Sequence, residues 1–375
     1  MTDTKQLLEE RKKRILDAIA LEKPDRVPAV TLGNAFAAKV AGMSLKQFVE
    51  EPEAGYKMLV DVFSNLGDID GTQQAHFNPY LLSPMWNSRV KIPGRDLPDN
   101  SLWQVEELEL MIRDDYDVIL DEGYETFSAR FQHERLDDPV AKLGPFMESV
   151  PGALKAWADR GLPVMALGVV TVPFEALCGG RSLRAFVLDL MQIPDKVEAV
   201  METIMPAMVK EAQGFMRAFP DVMGVWVGGW RTASQFLAPK LWERFVFPYY
   251  QQMVKVVVDE GVIPILHFDA KWDRDLARLR ELPARTCVLS LDGATDIRKA
   301  KTLLGDHMCI MGDVPAQLLT IGTTDKVSDY VAALLRDIGP EGFILSSGCD
   351  IPYSAKLENV KAMFAARGRT SMPPR

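Results

Sequence analysis

Short apolar runs alternate with segments of helical periodicity along the chain from residue 26 onward. Eight of these runs predict strands, at residues 26–32, 67–73, 163–171, 221–228, 262–269, 286–292, 307–313 and 342–347. Most of them are nearly continuous apolar runs and do not alternate with polar residues, which is typical of parallel strands covered on both faces. The pattern therefore favours a parallel sheet with helices on its faces.

Amphipathic segments between these runs predict helices, at residues 45–66, 193–219, 237–259, 325–338 and 356–367. Pro248 should kink the third of them, and Gly339 and Gly368 should end the last two. Eight strands that are each followed by a helix predict an α/β fold, a (β/α)₈ TIM barrel, with an open doubly wound sheet as the structural alternative.

Two segments lie outside the repeat. The first 20 residues predict a charged amphipathic helix ahead of the barrel, and residues 74–160 predict an insertion over the barrel mouth after the second strand. No linker or internal repeat divides the chain, and we treat residues 1–375 as one domain.

Composition narrows the function classes. The chain has 375 residues, 47% hydrophobic and 25% charged, and its 43 Lys and Arg against 52 Asp and Glu give a net charge of −9. Such a surface is unsuited to nucleic acid, which requires basic patches. The longest apolar stretch, residues 164–177, is interrupted by Pro173 and Glu175 and is too short to cross a membrane. With four widely spaced cysteines and no secretion signal, we expect a cytoplasmic protein without a membrane partner.

In a (β/α)₈ barrel the chemistry lies where the strands end. His267 and Asp269 end the fifth predicted strand, and their i, i+2 spacing puts them on the same face. Cys349 follows the eighth strand. An imidazole, a carboxylate and a thiolate suit Zn²⁺ and would leave one coordination position open, as in catalytic sites. The alternative is a hydrogen-bonded histidine at a strand end and a buried, inert thiol.

Other strand ends also carry candidates. Asp292 ends the sixth strand, Asp313 ends the seventh, and Glu134 comes from the insertion. These three are the candidate catalytic acids, although Glu134 also fits an exposed helix face. Asp70 and Trp230, near the ends of the second and fourth strands, are the candidate cofactor-binding residues, and core packing is the alternative for Trp230.

Three segments resemble the uroporphyrinogen decarboxylase superfamily: RILDAIALEKPDRVPA near the start, GDVPAQLL after the seventh strand, and GFILSSGCDIPYSAKLENVKAM near the end. This resemblance also implies a (β/α)₈ barrel. The true decarboxylases of the superfamily act without a cofactor on a porphyrinogen with many carboxylates, and they carry an R-Q-A-G-R segment after the first strand. Here the corresponding region reads TLGNAFAAKVAGM and contains no arginine.

The other branch of the superfamily consists of corrinoid-dependent methyltransferases, which hold zinc with an H-x-C motif and a later cysteine. His267 and Cys349 match the first and last of these positions, whereas Asp269 replaces the middle cysteine. The resemblance thus implies a zinc methyltransferase that moves a methyl group from a small methylated substrate to a corrinoid. Because the chain has no D-x-H-x-x-G corrinoid-binding motif, the corrinoid is expected on a separate carrier protein.

The carboxylate at position 269 affects the expected substrate. A carboxylate donates less charge to zinc than a thiolate does and leaves a stronger Lewis acid. That favours removal of a methyl group from oxygen, and we expect O-demethylation of a methoxyl compound. A decarboxylase acting on a tetrapyrrole or another carboxylated ligand, and a non-catalytic corrinoid-binding or ligand-binding barrel, are the alternatives. Residue types alone do not distinguish methoxyaromatic compounds, methylamines and methyl sulfides.

Overall fold

A computed structural model describes residues 4–367 and contains one eight-stranded parallel sheet. Its strands are β1 Val30–Thr31, β2 Gly71–Gln74, β3 Val164–Val170, β4 Gly224–Gly229, β5 Ile263–Phe268, β6 Val288–Leu291, β7 Cys309–Val314 and β8 Phe343–Ser347. Each strand pairs with the next one along the chain. A parallel bridge between Ala29 and Leu345 joins the first strand region to the last and closes the barrel. The predicted (β/α)₈ barrel is therefore confirmed, and the open sheet is excluded.

Helices surround this barrel. The α-helices are Thr4–Ile19, Asn34–Ala41, Leu45–Glu50, Pro52–Ser64, Leu82–Trp86, Asp114–Glu122, Tyr124–Arg135, Pro139–Lys142, Gly144–Ala158, Pro173–Arg181, Leu183–Gln192, Pro194–Ala218, Pro239–Phe245, Phe247–Asp259, Ile297–Leu304, Ala316–Ile321, Thr324–Asp337 and Leu357–Ala366. Within residues 4–367, no helix combines the length and the apolar character needed to cross a membrane.

Two of the predicted helices are each divided in two. The segment 45–66 breaks at Glu51, because Pro52 starts a new helix and offers no N–H for the preceding one. The segment 237–259 breaks at Val246, just before Pro248, which lies in the first turn of the second helix. Proline thus lies in the first turn of a new helix in both places. The kink predicted at Pro248 is a complete break. The stop predicted at Gly368 lies outside the described residues.

The core has an inner and an outer layer. Along β8, Ile344 belongs to the cluster inside the barrel and Leu345 to the cluster between strands and helices. The N-terminal helix contributes Ile15, Ala18 and Ile19 to the inner cluster. This helix therefore contacts the residues that fill the barrel.

The segment between β2 and β3 forms the predicted insertion and includes a small antiparallel pair, Val90–Lys91 with Gln104–Val105. Its Trp86 ring lies 6.2 Å from the ring of Trp230, which follows β4. Its Glu107 accepts a 3.0 Å hydrogen bond from the guanidinium group of Arg231. These contacts hold the insertion against the end of β4, on the mouth side of the barrel.

Candidate metal centre

Three side chains with metal-binding atoms meet at the barrel mouth. His267 lies on β5, Asp269 follows that strand directly, and Cys349 lies just beyond β8. Their candidate ligand atoms all lie within 4.8 Å of one another. The sequence predicted this meeting from the positions of the strand ends, and the structure brings the three residues together.

The imidazole of His267 is fixed from two sides. Its Nδ1 lies 3.1 Å from the hydroxyl of Ser290 on the neighbouring strand β6. Its ring centroid lies 4.7 Å from that of Trp226 on β4. The other ring nitrogen, Nε2, lies 3.2 Å from Oδ1 of Asp269 and is buried without a well-oriented hydrogen bond among residues 4–367. The ring therefore presents Nε2 to Asp269 and Cys349.

The charge balance of the cluster favours a cation. Burial lowers the pKa of His267, but the neighbouring Cys349 and Asp269 outweigh burial and raise this pKa to about 10. Two acidic groups beside a buried ring thus stabilise a positive charge, either on the imidazole or on a metal ion bound in place of its proton. Cys349 is exposed, so the alternative of a buried, inert thiol at this position is wrong.

The donor set fits zinc. Zinc binds nitrogen, oxygen and sulfur ligands at about 2.0–2.3 Å, and three protein ligands leave the fourth position open for a substrate. A separation of at most 4.8 Å between the ligand atoms requires only small side-chain rotations for one ion to contact all three.

Backbone contacts hold the ligand-bearing loops in place. Asp292 accepts a 2.8 Å hydrogen bond from the backbone N–H of Ala270, the residue after Asp269. Asp350, the residue after Cys349, accepts a 3.1 Å hydrogen bond from the backbone N–H of Asn34. Both carboxylates position a neighbouring ligand residue through the main chain.

The family model described as uroporphyrinogen decarboxylase (URO-D) matches residues 125–370, which is more than half of the chain. The chain belongs to the uroporphyrinogen decarboxylase family. Curated relatives with the name uroporphyrinogen decarboxylase include one from Syntrophotalea carbinolica, 25% identical over 224 residues, and one from Coxiella burnetii, 23% identical over 247 residues.

Both alignments are partial. They cover 57% and 62% of this chain, and 62% and 65% of the respective relatives, so the chain matches less than two thirds of either relative's length. Among solved structures, a methyltransferase from Methanosarcina mazei superposes with a TM-score of 0.73 and 18% identity, covering 96% of this chain and 99% of that chain. At this identity the likeness establishes a shared fold.

One predicted site residue of this family member lies at the wrong end of the barrel. Asp70 was expected where β2 ends, but β2 begins at Gly71, so Asp70 precedes the strand. Its buried carboxylate is paired with Arg14, Arg26 and Arg367 and accepts a hydrogen bond from the backbone N–H of Ala29. With its oxygens already engaged away from the mouth, Asp70 has no free group for a cofactor, and its predicted placement is corrected.

The other candidates are not part of the three-residue cluster. Asp313 accepts a 2.9 Å hydrogen bond from Tyr330 on the surrounding helix Thr324–Asp337, and burial raises its pKa to about 7. Glu134 is exposed on the helix Tyr124–Arg135. Trp230 lies at the mouth, with the guanidinium of Arg231 4.2 Å from its ring centre. The catalytic and cofactor-binding roles of these residues stay predictions.

Sequence reasoning missed Ser290. Its signal was available, because Ser290 comes two residues before Asp292 on the predicted sixth strand and lies level with His267 once β5 and β6 pair. A polar residue at the same level as a metal ligand on the adjacent strand is a candidate for orienting that ligand.

Proposed function

We propose that this protein is a zinc-dependent methyltransferase that moves a methyl group from a small methylated substrate to a corrinoid held by a separate carrier protein. The observation that carries the proposal is the meeting of His267, Asp269 and Cys349 within 4.8 Å at the barrel mouth. A metal ion bound by these three residues would act as a Lewis acid in the reaction.

The family contains reactions of two kinds, and the chain's own residues favour one of them. The segment after β1, TLGNAFAAKVAGM, offers no arginine for a substrate with many carboxylates. A metal-binding cluster has no role in decarboxylation without a cofactor. The shared fold with a protein named as a methyltransferase is compatible with this choice.

The chain's residues would prepare the site as follows. Ser290 holds the imidazole of His267 so that Nε2 faces the cluster, and Asp292 fixes the turn that carries Asp269. Trp226 covers one face of the imidazole and limits the access of water. When bound, zinc would supply a Lewis acid that stabilises negative charge on an oxygen leaving the methyl group. The carboxylate of Asp292 accepts hydrogen bonds from two backbone N–H groups, so Asp292 is better suited to positioning the loop than to donating a proton.

The first test is metal content together with methyl transfer. His267→Ala and Cys349→Ala should each lose bound zinc and reduce methyl transfer to cobalamin to the background rate, with the fold retained, because strand ends contribute little to the core. His133→Ala is the matched control, since His133 is exposed on the insertion and should keep both properties. Elemental analysis and a screen of methylated donors with Co(I) cobalamin measure the two effects.

Two results would contradict the proposal. Full methyl transfer by either ligand variant would show that the metal site is misassigned. Consumption of uroporphyrinogen in an absorbance assay, without any methyl transfer, would favour a decarboxylase.

We further propose that the methyl group leaves an oxygen atom, as in O-demethylation, because the carboxylate of Asp269 leaves zinc more electrophilic than a second thiolate would. Asp269→Cys should retain zinc and lower the rate of methyl transfer from a methoxyl donor to Co(I) cobalamin relative to the rate of methyl transfer from methylcobalamin to a thiol. An unchanged ratio of the two rates would remove the reason to favour oxygen.

A further inference from the structure

A separate cavity of about 300 Å³ lies beside β3, between that strand, the insertion and the helix Pro194–Ala218. Neither His267, Asp269 nor Cys349 lines it. Its walls are mainly apolar and include Leu82, Met85, Phe146, Val150 and Phe215. A cavity of half this volume with apolar walls holds a benzene molecule in an engineered protein, at about 150 Å³. The space therefore suffices for a substituted single ring.

One polar side chain in the wall has no partner. His76 is 4% exposed, and neither of its ring nitrogens makes a hydrogen bond within residues 4–367. Its ring instead packs against aromatic rings, with centroids 5.4 Å from Phe48 and 5.0 Å from Phe146. Buried polar groups in native proteins are almost always hydrogen-bonded, so an unpaired imidazole in a cavity wall indicates that a bound molecule completes the site.

The ionisation state of His76 restricts what it can bind. Burial lowers the pKa of His76 to about 4, so the ring is neutral near pH 7. A neutral imidazole has one nitrogen that donates and one that accepts. A hydroxyl group, which also both donates and accepts, is the matching partner.

The few charged groups in the wall disfavour ionic ligands. Among residues 4–367, no lysine or arginine lines the cavity, and Glu211 is the one acidic residue in its wall. Burial raises the pKa of Glu211, which further disfavours a negative charge in this space. An anionic ligand would find no counter-charge among these residues, and a cation would find only one carboxyl group, whose negative charge burial disfavours.

We propose that this cavity is a second binding site, which takes a small neutral aromatic molecule with a hydroxyl group, and that His76 hydrogen-bonds that hydroxyl. The apolar walls enclose the ring, and the imidazole selects the polar substituent. This site does not depend on the proposed methyl transfer, because it shares no residue with the metal cluster.

The test compares phenol with toluene by titration calorimetry on the full-length protein. Wild type should bind phenol, and His76→Phe should bind it about three- to tenfold more weakly, the usual effect of one hydrogen bond. Toluene should bind both proteins equally, because phenylalanine keeps the ring contacts. His133→Phe is the matched control and should leave phenol affinity unchanged. His267→Ala should also bind phenol normally, whatever its methyl transfer activity.

A second variant and a second measurement cover the case in which His76→Phe does not fold. Ser128→Phe should fill the cavity from the helix Tyr124–Arg135 and abolish phenol binding. In wild type, phenol should shift the ring ¹⁵N resonances of His76, one of only four histidines in the chain. Absence of phenol binding to wild type, equal phenol affinity in wild type and His76→Phe, or tighter binding of benzoate or tetramethylammonium than of phenol would each overturn the proposal.

Discussion

At the scale of single residues, the hydroxyl of Ser290 orients the imidazole of His267. The hydroxyl contacts Nδ1, and under the proposed function this contact leaves Nε2 as the ligand atom. Groups that orient a metal-binding histidine in this way usually increase metal affinity by about 10- to 100-fold.

Ser290→Ala should therefore weaken zinc binding by about 10- to 100-fold while the protein stays folded. Competition with a chromogenic chelator measures the affinity. Ser149→Ala serves as the control, because Ser149 bonds only a carbonyl in its own helix. Equal affinity of wild type and Ser290→Ala would mean that packing against Trp226 alone orients the ring.

Asp313 should make stability depend on pH. Burial raises its pKa from 3.8 to about 7. Between about pH 4 and pH 7, the carboxyl group is therefore protonated in the folded state and ionised in the unfolded state. Stability consequently falls as pH rises from about 4 to 7. Asp313→Asn keeps an acceptor for Tyr330 and removes the ionisation, and should stabilise the protein on the order of 2 kcal/mol at pH 7.5 and much less at pH 4.5.

Urea unfolding at the two pH values checks this expectation, with Asp329→Asn, an exposed change on the helix of Tyr330, as the control. The Asp313→Asn variant also tests the predicted catalytic role of Asp313. If Asp313 donates the proton to the leaving oxygen, Asp313→Asn should lose methyl transfer as well as its pH dependence.

At the scale of elements, the strands with apolar sequences were predicted well, and the strand with a polar sequence was predicted poorly. From β3 to β8 the predicted and observed boundaries agree within about three residues. β2 is different, because its sequence, Gly71–Gln74, is short and polar while the preceding GDID segment mimics a strand. That shift accounts for the wrong placement of Asp70, whose arginine partners come from distant parts of the chain.

The N-terminal helix should stabilise the barrel through the side chains it places against the inner core. Ile15 is fully buried there, whereas its neighbour Leu16 is 37% exposed. Ile15→Ala should lower the free energy of unfolding by about 2–5 kcal/mol, and Leu16→Ala by roughly 0.5 kcal/mol or less. Urea denaturation measures both, and similar losses for the two variants would contradict the assigned packing.

At the scale of the whole molecule, Asp70 joins the N-terminal segment of the chain to the residue that follows the last described helix. It pairs with Arg14 on the N-terminal helix, Arg26 before β1 and Arg367 after the last helix. The arginines also pair with the exposed carboxylates of Asp25 and Asp68, so removal of the buried Asp70 carboxylate leaves their charges only partly compensated.

Asp70→Asn should thus cost about 3–5 kcal/mol of unfolding free energy without changing the zinc content of the folded protein. Asp61→Asn, an exposed carboxylate 3.8 Å from Arg160, should cost less than about 1 kcal/mol. Loss of zinc from folded Asp70→Asn would revive a role for this residue at the mouth.

The sequence predicted the barrel and the meeting of His267, Asp269 and Cys349, because strand order alone brings parallel strand ends to one face. It predicted the family through the resemblance of three segments. It did not predict the cavity around His76. That site depends on how the insertion packs on β3, and the insertion has no periodic pattern that places its side chains in space.

The division of the cluster between β5 and the segment after β8 has a consequence during synthesis. With β6, β7 and β8 lying between the second ligand and the third, a nascent chain that still lacks its last strand holds only two of the three donors. Under the proposed function, capture of the ion would coincide with closure of the sheet. In an experiment that releases the chain from the ribosome, a zinc-responsive dye would then report closure of the barrel.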